Sequence, residues 1–189
     1  MCRRDRLAEW SVTAKGYGEF LCDVFDVWVV SDVGRTFVQM FDATLAQWCG
    51  VPPGVCSMGE TCGDALVVEH NGDVYSCDHF VEPDYLLGNI LQTHMLDLVA
   101  SPQQRAFGDA KRDALPAYCR RCDVRFACHG GCPKDRFCIT TDGEPGLNYL
   151  CAGYYSFFNH ATPAILEMAK LLQAGRSAAE LMTTSWREA

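Results

Sequence analysis

The sequence lacks any hydrophobic stretch that approaches the ~18 apolar residues of a transmembrane helix. The charged residues near the N-terminus are not followed by the apolar segment of a signal peptide. We therefore expect a cytoplasmic protein with no membrane partner. In that compartment, the twelve cysteines are better explained as metal ligands or free thiols than as a disulfide framework.

The sequence also has little positive charge. Lys and Arg number 16 against 24 Asp and Glu, so the formal net charge is −8. Nucleic-acid-binding domains usually carry a basic patch, and we therefore expect no nucleic-acid partner. Internal repeats and low-complexity segments are also missing. With 49% apolar residues, the 189-residue chain can bury a core and form one domain, or one domain plus part of another.

Cysteine, in contrast, is abundant and ordered. Eight thiols are enough for two four-thiolate sites, and short spacing between thiolates suits zinc or iron–sulfur clusters. The four cysteines from Cys119 to Cys132 could close a tetrahedral zinc site by themselves, whereas the glycines and aromatic residues around them favour clusters. The spacing alone leaves this choice open. The eight residues are Cys56, Cys62, Cys77, Cys119, Cys122, Cys128, Cys132 and Cys151.

The first part of the chain is predicted to form a helix, a strand and a second helix. Apolar side chains recur with helical spacing over residues 15–31, and residues 36–41 read as a buried strand. Asp42 is placed to cap a short helix over 43–48. A single strand between two helices indicates the end of an α/β unit, so we expect the sequence to start partway through a larger architecture. The segment 51–54, Val-Pro-Pro-Gly, marks the boundary.

The rest of the chain is predicted to be rich in loops. Asn71-Gly72 lies between two β-prone runs and predicts a hairpin, which would bring Cys77 towards Cys62. Ser101 and Pro102 suit the start of a helix. Helices are predicted over 94–114, with a restart at 101–102, over about 148–173 and over 178–187, with a loop over 119–138 and Pro163 as a kink.

Four segments carry a resemblance to a known family: residues 62–63, 69–80, 87–90 and 128–137. They look like the C-terminal SPASM domain of anaerobic sulfatase-maturating enzymes, which are radical S-adenosylmethionine (SAM) enzymes. Members of that family oxidise a Cys or Ser of a sulfatase to formylglycine. The resemblance runs from about residue 17 to residue 158. The eight-cysteine spacing together with the Cys-Asp-His-Phe segment at 77–80 makes it specific.

The resemblance implies two auxiliary [4Fe–4S] clusters with ligands that interleave along the chain. Each cluster would join segments far apart in the sequence, so that metal supplies much of the folding constraint. Zinc is kept as an alternative occupant of the thiolates. The first cluster would be held by Cys56, Cys62, Cys77 and Cys132. The second would be held by Cys119, Cys122, Cys128 and Cys151.

The resemblance also implies a catalytic role for Asp78, as the general base that takes a proton from the substrate Cys or Ser. A carboxylate beside a buried site is expected to have a raised pKa that suits this task. Taken without the surrounding motif, Asp78 is better explained as a residue that caps a turn or binds backbone. The remaining cysteines, Cys2, Cys22, Cys49 and Cys138, have no place in the cluster scheme, and Cys22 and Cys49 are expected to be small buried residues.

The predicted fold is α+β, with the tail of a partial α/β (TIM-like) barrel followed by a loop-rich SPASM domain with a β-hairpin, two cluster sites and C-terminal helices. Residues 1–50 would be the remnant of the radical SAM barrel. Residues 51–160 would be the SPASM auxiliary-cluster domain, and residues 161–189 a helical tail.

A radical SAM enzyme needs Cys-x3-Cys-x2-Cys, and this sequence has no such motif. Cys128-x3-Cys132 begins like one, but Asp135 occupies the third position. The expected function is therefore that of the C-terminal part of a radical SAM oxidoreductase, inactive alone, with SAM used only by the full-length enzyme. This part would seat a sulfatase polypeptide and pass an electron to an acceptor such as a flavodoxin or ferredoxin.

The sequence is also compatible with two alternatives. The chain could be a stand-alone zinc or iron–sulfur module that recruits a peptide or protein partner without catalysis. It could also be the SPASM domain of another radical SAM peptide-modifying enzyme, although Asp78 after Cys77 favours sulfatase maturation.

Overall fold

The computed structural model describes Cys2 and residues 7–183, which form helices and two small antiparallel sheets. The helices are α1 (Ala14–Ser31), α2 (Gln39–Trp48), α3 (Met95–Val99), α4 (Pro102–Asp113), α5 (Ala117–Arg120), α6 (Arg125–Cys128) and α7 (Cys151–Gln173). The strands are β1 (Val67–Val68), β2 (Asp73–Tyr75), β3 (Leu86–Asn89), β4 (Cys138–Ile139) and β5 (Pro145–Leu147). Short 3-10 turns cover Cys56–Met58, Pro83–Tyr85, Pro133–Asp135 and Ala178–Thr183. Within the described residues, no helix is both long and apolar enough to cross a membrane.

The hydrophobic core lies where α1, α2 and α7 meet. The rings of Phe25 and Phe41 lie edge to face with centroids 5.1 Å apart, and Phe41 stacks on Phe157 at 5.6 Å. All three phenylalanines are almost completely buried. Aromatic side chains of this size bury large apolar areas and dominate the stability of a small core. Because α7 begins at Cys151, this core fixes the position of one predicted ligand.

Two glycines allow α1 and α7 to cross closely. A Cβ atom on Gly18 would lie 2.8 Å from the Cα of Gly153, and a Cβ on Gly153 would collide with the backbone carbonyl of Ala14. Since the obstructing atoms belong to the backbone, a rotamer change cannot relieve the collision. The crossing therefore requires residues without a side chain at both positions.

Replacing Gly153 by alanine is expected to lower the free energy of unfolding by about 1–3 kcal/mol, the usual cost of forcing a methyl group into a packed core. The measurement is chemical denaturation of the variant and the wild-type chain in parallel. An unchanged unfolding midpoint would show that the two helices can separate without loss of packing.

The predicted strand at 36–41 is wrong, because α2 begins at Gln39. Val38 is the N-terminal cap, with an extended backbone and no side-chain capping bond, and Asp42 lies within the first turn instead of capping a helix. Phe41 and Thr44 are both fully buried and face the core with helical spacing. With no partner strand among residues 7–50, the apolar run is buried by helix packing. The assignment of residues 1–50 to a barrel, and the domain boundaries, stay predictions.

The hairpin is confirmed, and a third strand extends it. β1 and β2 pair antiparallel, and β3 pairs with the other edge of β2. Gly72 takes the left-handed conformation with φ of 87°, which suits the turn. The Asn89 side chain on β3 donates to Asp73 at 3.0 Å and to the carbonyl of Asn71 at 3.0 Å. Asn89, which the predicted hairpin did not include, therefore stabilises the turn.

The remaining helical predictions are largely confirmed. The Ser101 hydroxyl accepts a hydrogen bond from the backbone N–H of Gln104 at 3.1 Å and caps α4 as predicted. The region 119–138 contains two one-turn helices in addition to loops. Pro163 lies inside α7 without ending it. The last predicted helix is a 3-10 turn over Ala178–Thr183, and residues 184–187 lie outside the described residues.

Candidate metal centres

The second predicted thiol set lines one cavity. Its volume is about 590 Å³, and its walls include all four thiols of the set together with Tyr118, Leu147 and Tyr155. The thiols come from separate elements, since Cys119 lies in α5, Cys128 ends α6 and Cys151 starts α7. Tertiary folding therefore brings together Cys119, Cys122, Cys128 and Cys151.

A sharp turn separates Cys128 from Cys132. His129, Gly130 and Gly131 are all in the left-handed region, with φ of 43°, 75° and 64°. A Cβ on Gly130 would lie 2.5 Å from a Leu115 methyl group, and one on Gly131 would lie 2.5 Å from the Asn148 side chain. Such a run of left-handed residues favours glycine strongly. The turn lets the two neighbouring cysteines belong to different thiol sets.

The first predicted thiol set is also brought together. The charges of Cys56 and Cys132 both act on the pKa of Cys62, and the charge of Cys132 acts on that of Cys77. The Nδ1 atom of His79 lies 3.4 Å from the Cys132 sulfur. These four thiols therefore share one neighbourhood, because the three-stranded sheet and the helices α3 to α6 return the chain from Cys56 to Cys132.

Backbone N–H groups point at half of the eight thiols. Cys77, Cys122, Cys128 and Cys132 each accept a hydrogen bond from the backbone N–H of the residue two positions later, which are His79, Val124, Gly130 and Lys134. Hydrogen bonds of this kind stabilise the thiolate relative to the thiol and so lower its pKa. Loops that aim N–H groups at sulfur are therefore suited to hold metal-bound thiolates.

Burial raises the pKa of the thiols and so opposes the effect of these hydrogen bonds. Desolvation raises the pKa of Cys128 and of Cys77 to about 11, and that of Cys151 to about 12, against the hydrogen bonds that Cys128 and Cys77 receive. These three thiols are therefore protonated at neutral pH in the metal-free chain. A metal would have to displace their protons, as is usual for thiolate sites.

In the metal-free chain, the sulfurs of the two sets do not lie as close together as a single zinc ion would hold them. Tetrahedral zinc with Zn–S bonds of about 2.3 Å holds its sulfurs roughly 3.8 Å apart. Among the described residues, three ligand atoms come within 4.8 Å of one another only at Cys77, Asp78 and His79. No three sulfurs of either set are that close. The eight thiols are donors of the type that iron–sulfur clusters bind.

The pKa of Asp78 differs from the expected one. The side chain is exposed, and the Cys77 thiol donates a hydrogen bond to it at 3.2 Å. This hydrogen bond, with the charge of His79, lowers the pKa of Asp78 below its usual value. The expected raised pKa is thus wrong in the metal-free chain, because the hydrogen bond from Cys77 and the charge of His79 outweigh desolvation at this exposed carboxylate. Asp78 is ionised at neutral pH and can accept a proton.

Of the four cysteines outside the cluster scheme, two are free thiols and two form a disulfide. Cys22 and Cys49 are partly buried free thiols, less buried than expected. Cys2 and Cys138 form a disulfide, so the expectation of free thiols is wrong for this pair. The backbone explains the pairing, because Cys2 forms an antiparallel bridge with Cys138 that brings the Cα atoms to 4.0 Å. Because 136 residues separate the two cysteines, no local sequence pattern indicates that they pair.

Known proteins are similar to this chain over most of its length. Residues 56–123 match the SPASM family, described as an iron–sulfur cluster-binding domain. The chain is 52% identical over 176 residues to the serine-type anaerobic sulfatase-maturating enzyme of Bacteroides thetaiotaomicron, an alignment covering 93% of this chain and 42% of that enzyme. It is 30% identical over 162 residues to the cysteine-type enzyme of Clostridium perfringens, covering 85% of this chain and 43% of that enzyme.

A solved structure is also similar to this chain. Native anSMEcpe with bound AdoMet and Cp18Cys peptide matches with a TM-score of 0.75 and 30% identity, over 87% of this chain and 46% of that chain. The present chain thus spans less than half the length of these proteins. It carries a SPASM iron–sulfur cluster-binding domain and is homologous to the C-terminal part of anaerobic sulfatase-maturating enzymes.

Proposed function

We propose that this chain supplies the auxiliary-cluster part of a radical SAM enzyme that oxidises a Ser or Cys of a sulfatase to formylglycine. The observation that carries the proposal is the assembly of the eight thiols into two neighbourhoods, one of which lines a single cavity. Similarity to both serine-type and cysteine-type enzymes supports the substrate class. The peptide in a similar solved structure supports a polypeptide substrate.

In this proposal, each thiol set holds one [4Fe–4S] cluster. Cys56, Cys62, Cys77 and Cys132 would bind the first, and Cys119, Cys122, Cys128 and Cys151 the second. A bound cluster supplies one-electron redox chemistry, which suits the electron released when a substrate radical becomes an aldehyde. The backbone N–H groups that point at the sulfurs would stabilise the thiolates.

Asp78 is assigned the proton transfer. Its exposed, ionised carboxylate lies beside the first thiol set and can accept the proton of a substrate hydroxyl or thiol. The hydrogen bond from the Cys77 thiol would be lost once that sulfur binds metal as a thiolate. The carboxylate would then be free to face the substrate peptide.

SAM cleavage is assigned to a part of the enzyme other than this one. The printed sequence has no Cys-x3-Cys-x2-Cys, so this chain alone should neither cleave SAM nor make formylglycine. Residues 1–50 are proposed to end the partial barrel that carries that motif. A cytoplasmic flavodoxin or ferredoxin is proposed as the final electron acceptor.

A non-catalytic zinc module is the second candidate. The ligand atoms of Cys77, Asp78 and His79 lie within 4.8 Å of one another, which is close enough for one small ion. Mixed sulfur, oxygen and nitrogen donors suit zinc. In that case the domain would recruit a partner without redox chemistry.

Metal and sulfide content decides between the two. The chain is purified and reconstituted without oxygen, and iron, sulfide and zinc are measured with the absorption spectrum. About eight irons and eight sulfides per chain, with a broad band near ~400 nm, are expected for two thiolate-bound clusters. Zinc without sulfide after reconstitution would contradict the proposal and favour the zinc module.

A further inference from the structure

Helix α4 contains no cysteine, yet one of its faces is buried against the first thiol set. The residues on this face are Gln104, Gly108 and Lys111, at positions i, i+4 and i+7. Gln104 is 2% exposed and Lys111 is 1% exposed. Lysine is almost never fully buried unless it is paired, so this face needs a specific reason.

Gln104 joins two of the ligand segments. Its Nε2 atom donates to the carbonyl of Gly63 at 2.6 Å and to the carbonyl of Ser76 at 3.0 Å. Gly63 follows Cys62, and Ser76 precedes Cys77. One side-chain amide therefore fixes the distance between these two ligand segments.

Gly108 and Lys111 hold the adjoining segment. The backbone N–H of Cys62 donates to the carbonyl of Gly108 at 3.3 Å, and a Cβ at position 108 would collide with the carbonyl of Cys62. The ammonium of Lys111 donates to the carbonyl of Ser57 at 3.2 Å and also to those of Cys56 and Gly59. The backbone around Cys56 is thus wrapped around one buried cation.

The fourth ligand segment is tied to the same helix through Arg136. Its guanidinium donates to the carbonyl of Lys111 at 2.6 Å. It also donates to the carbonyls of His129 at 2.7 Å and Gly131 at 3.1 Å, just before Cys132. All these bonds run between protein atoms, so they can form before iron is inserted.

We propose that the buried face of α4 is the template of the first cluster: Gln104, Gly108 and Lys111 position its ligand segments, and the Lys111 cation offsets its negative charge. This inference rests on the proposed function. Preordered loops reduce the entropy lost when metal binds. The buried ammonium donates to neutral carbonyls, and four thiolates nearby would supply the opposite charge that a buried cation requires.

The test uses anaerobically reconstituted Lys111→Met and Gly108→Ala chains beside the wild type. Lys111→Met approximately keeps the side-chain volume and removes the charge. The matched control is Lys170→Met, which removes an exposed lysine paired with Glu167. Iron and sulfide are measured, followed by a redox titration monitored by electron paramagnetic resonance.

Gly108→Ala is expected to lower iron from about eight to about four per chain, because only the first cluster is lost. Lys111→Met is expected to move the potential of one cluster to a more negative value and leave the other unchanged, because the reduced cluster loses a nearby positive charge. The Lys170→Met control should match the wild type in both measurements.

The possible results distinguish a failure of the proposed function from a failure of the inference about α4. A wild-type chain that takes up no iron–sulfur cluster overturns the proposed function and this inference with it. A wild-type chain with about eight irons, beside a Lys111→Met chain with the same iron and the same two potentials, overturns the inference alone. If Gly108→Ala loses all iron because it does not fold, the potentials of Lys111→Met decide.

Discussion

The Cys132→Ala chain is expected to bind no more than about four of the eight irons and to melt at a lower temperature than the wild type. Cys132 is proposed as a ligand of the first cluster, but it follows the tight turn that begins at Cys128 in the second set. Removal of its thiol leaves three ligands at the first site. Loss of that cluster also frees the turn that places Cys128, so both metal regions are expected to be disturbed.

The matched control is Cys49→Ala, which removes a partly buried free thiol that has no place in either set. Iron, sulfide and thermal melting are measured on both variants after the same anaerobic reconstitution. If Cys132→Ala kept full iron and melted like the wild type, the interleaved ligand assignment would be wrong.

The Asp78→Asn variant of a full-length enzyme is expected to cleave SAM at the normal rate but to oxidise peptide at least about 100-fold more slowly, as is typical when a general base is removed. Asparagine retains the size of the side chain and cannot take the proton from the substrate. The SAM cleavage step does not need this carboxylate. The measurement is SAM cleavage and aldehyde formation in the same reaction.

The Asp84→Asn variant is the control, because Asp84 is another exposed carboxylate close in sequence. It removes the same charge outside the first thiol set and is expected to form product at the wild-type rate. Normal product formation by Asp78→Asn would return Asp78 to a structural role in its turn.

The sequence by itself determined the features that depend on near neighbours. Helix α1 followed from apolar spacing, the hairpin from Asn71-Gly72, and the start of α4 from Ser101 as its cap. These signals are strong because the interactions that form them lie within a few residues. The cysteine spacing and the resemblance also pointed to the SPASM domain that the comparisons show.

Only the tertiary structure decided what depends on distant residues. The apolar run at 36–41 suits a strand or a buried helix, and packing against α1 and α7 selected the helix α2. The Cys2–Cys138 disulfide and the role of β3 also join distant segments. The burial of Gln104 and Lys111 and their carbonyl partners also depend on distant residues, because they arise only when the ligand loops fold around α4.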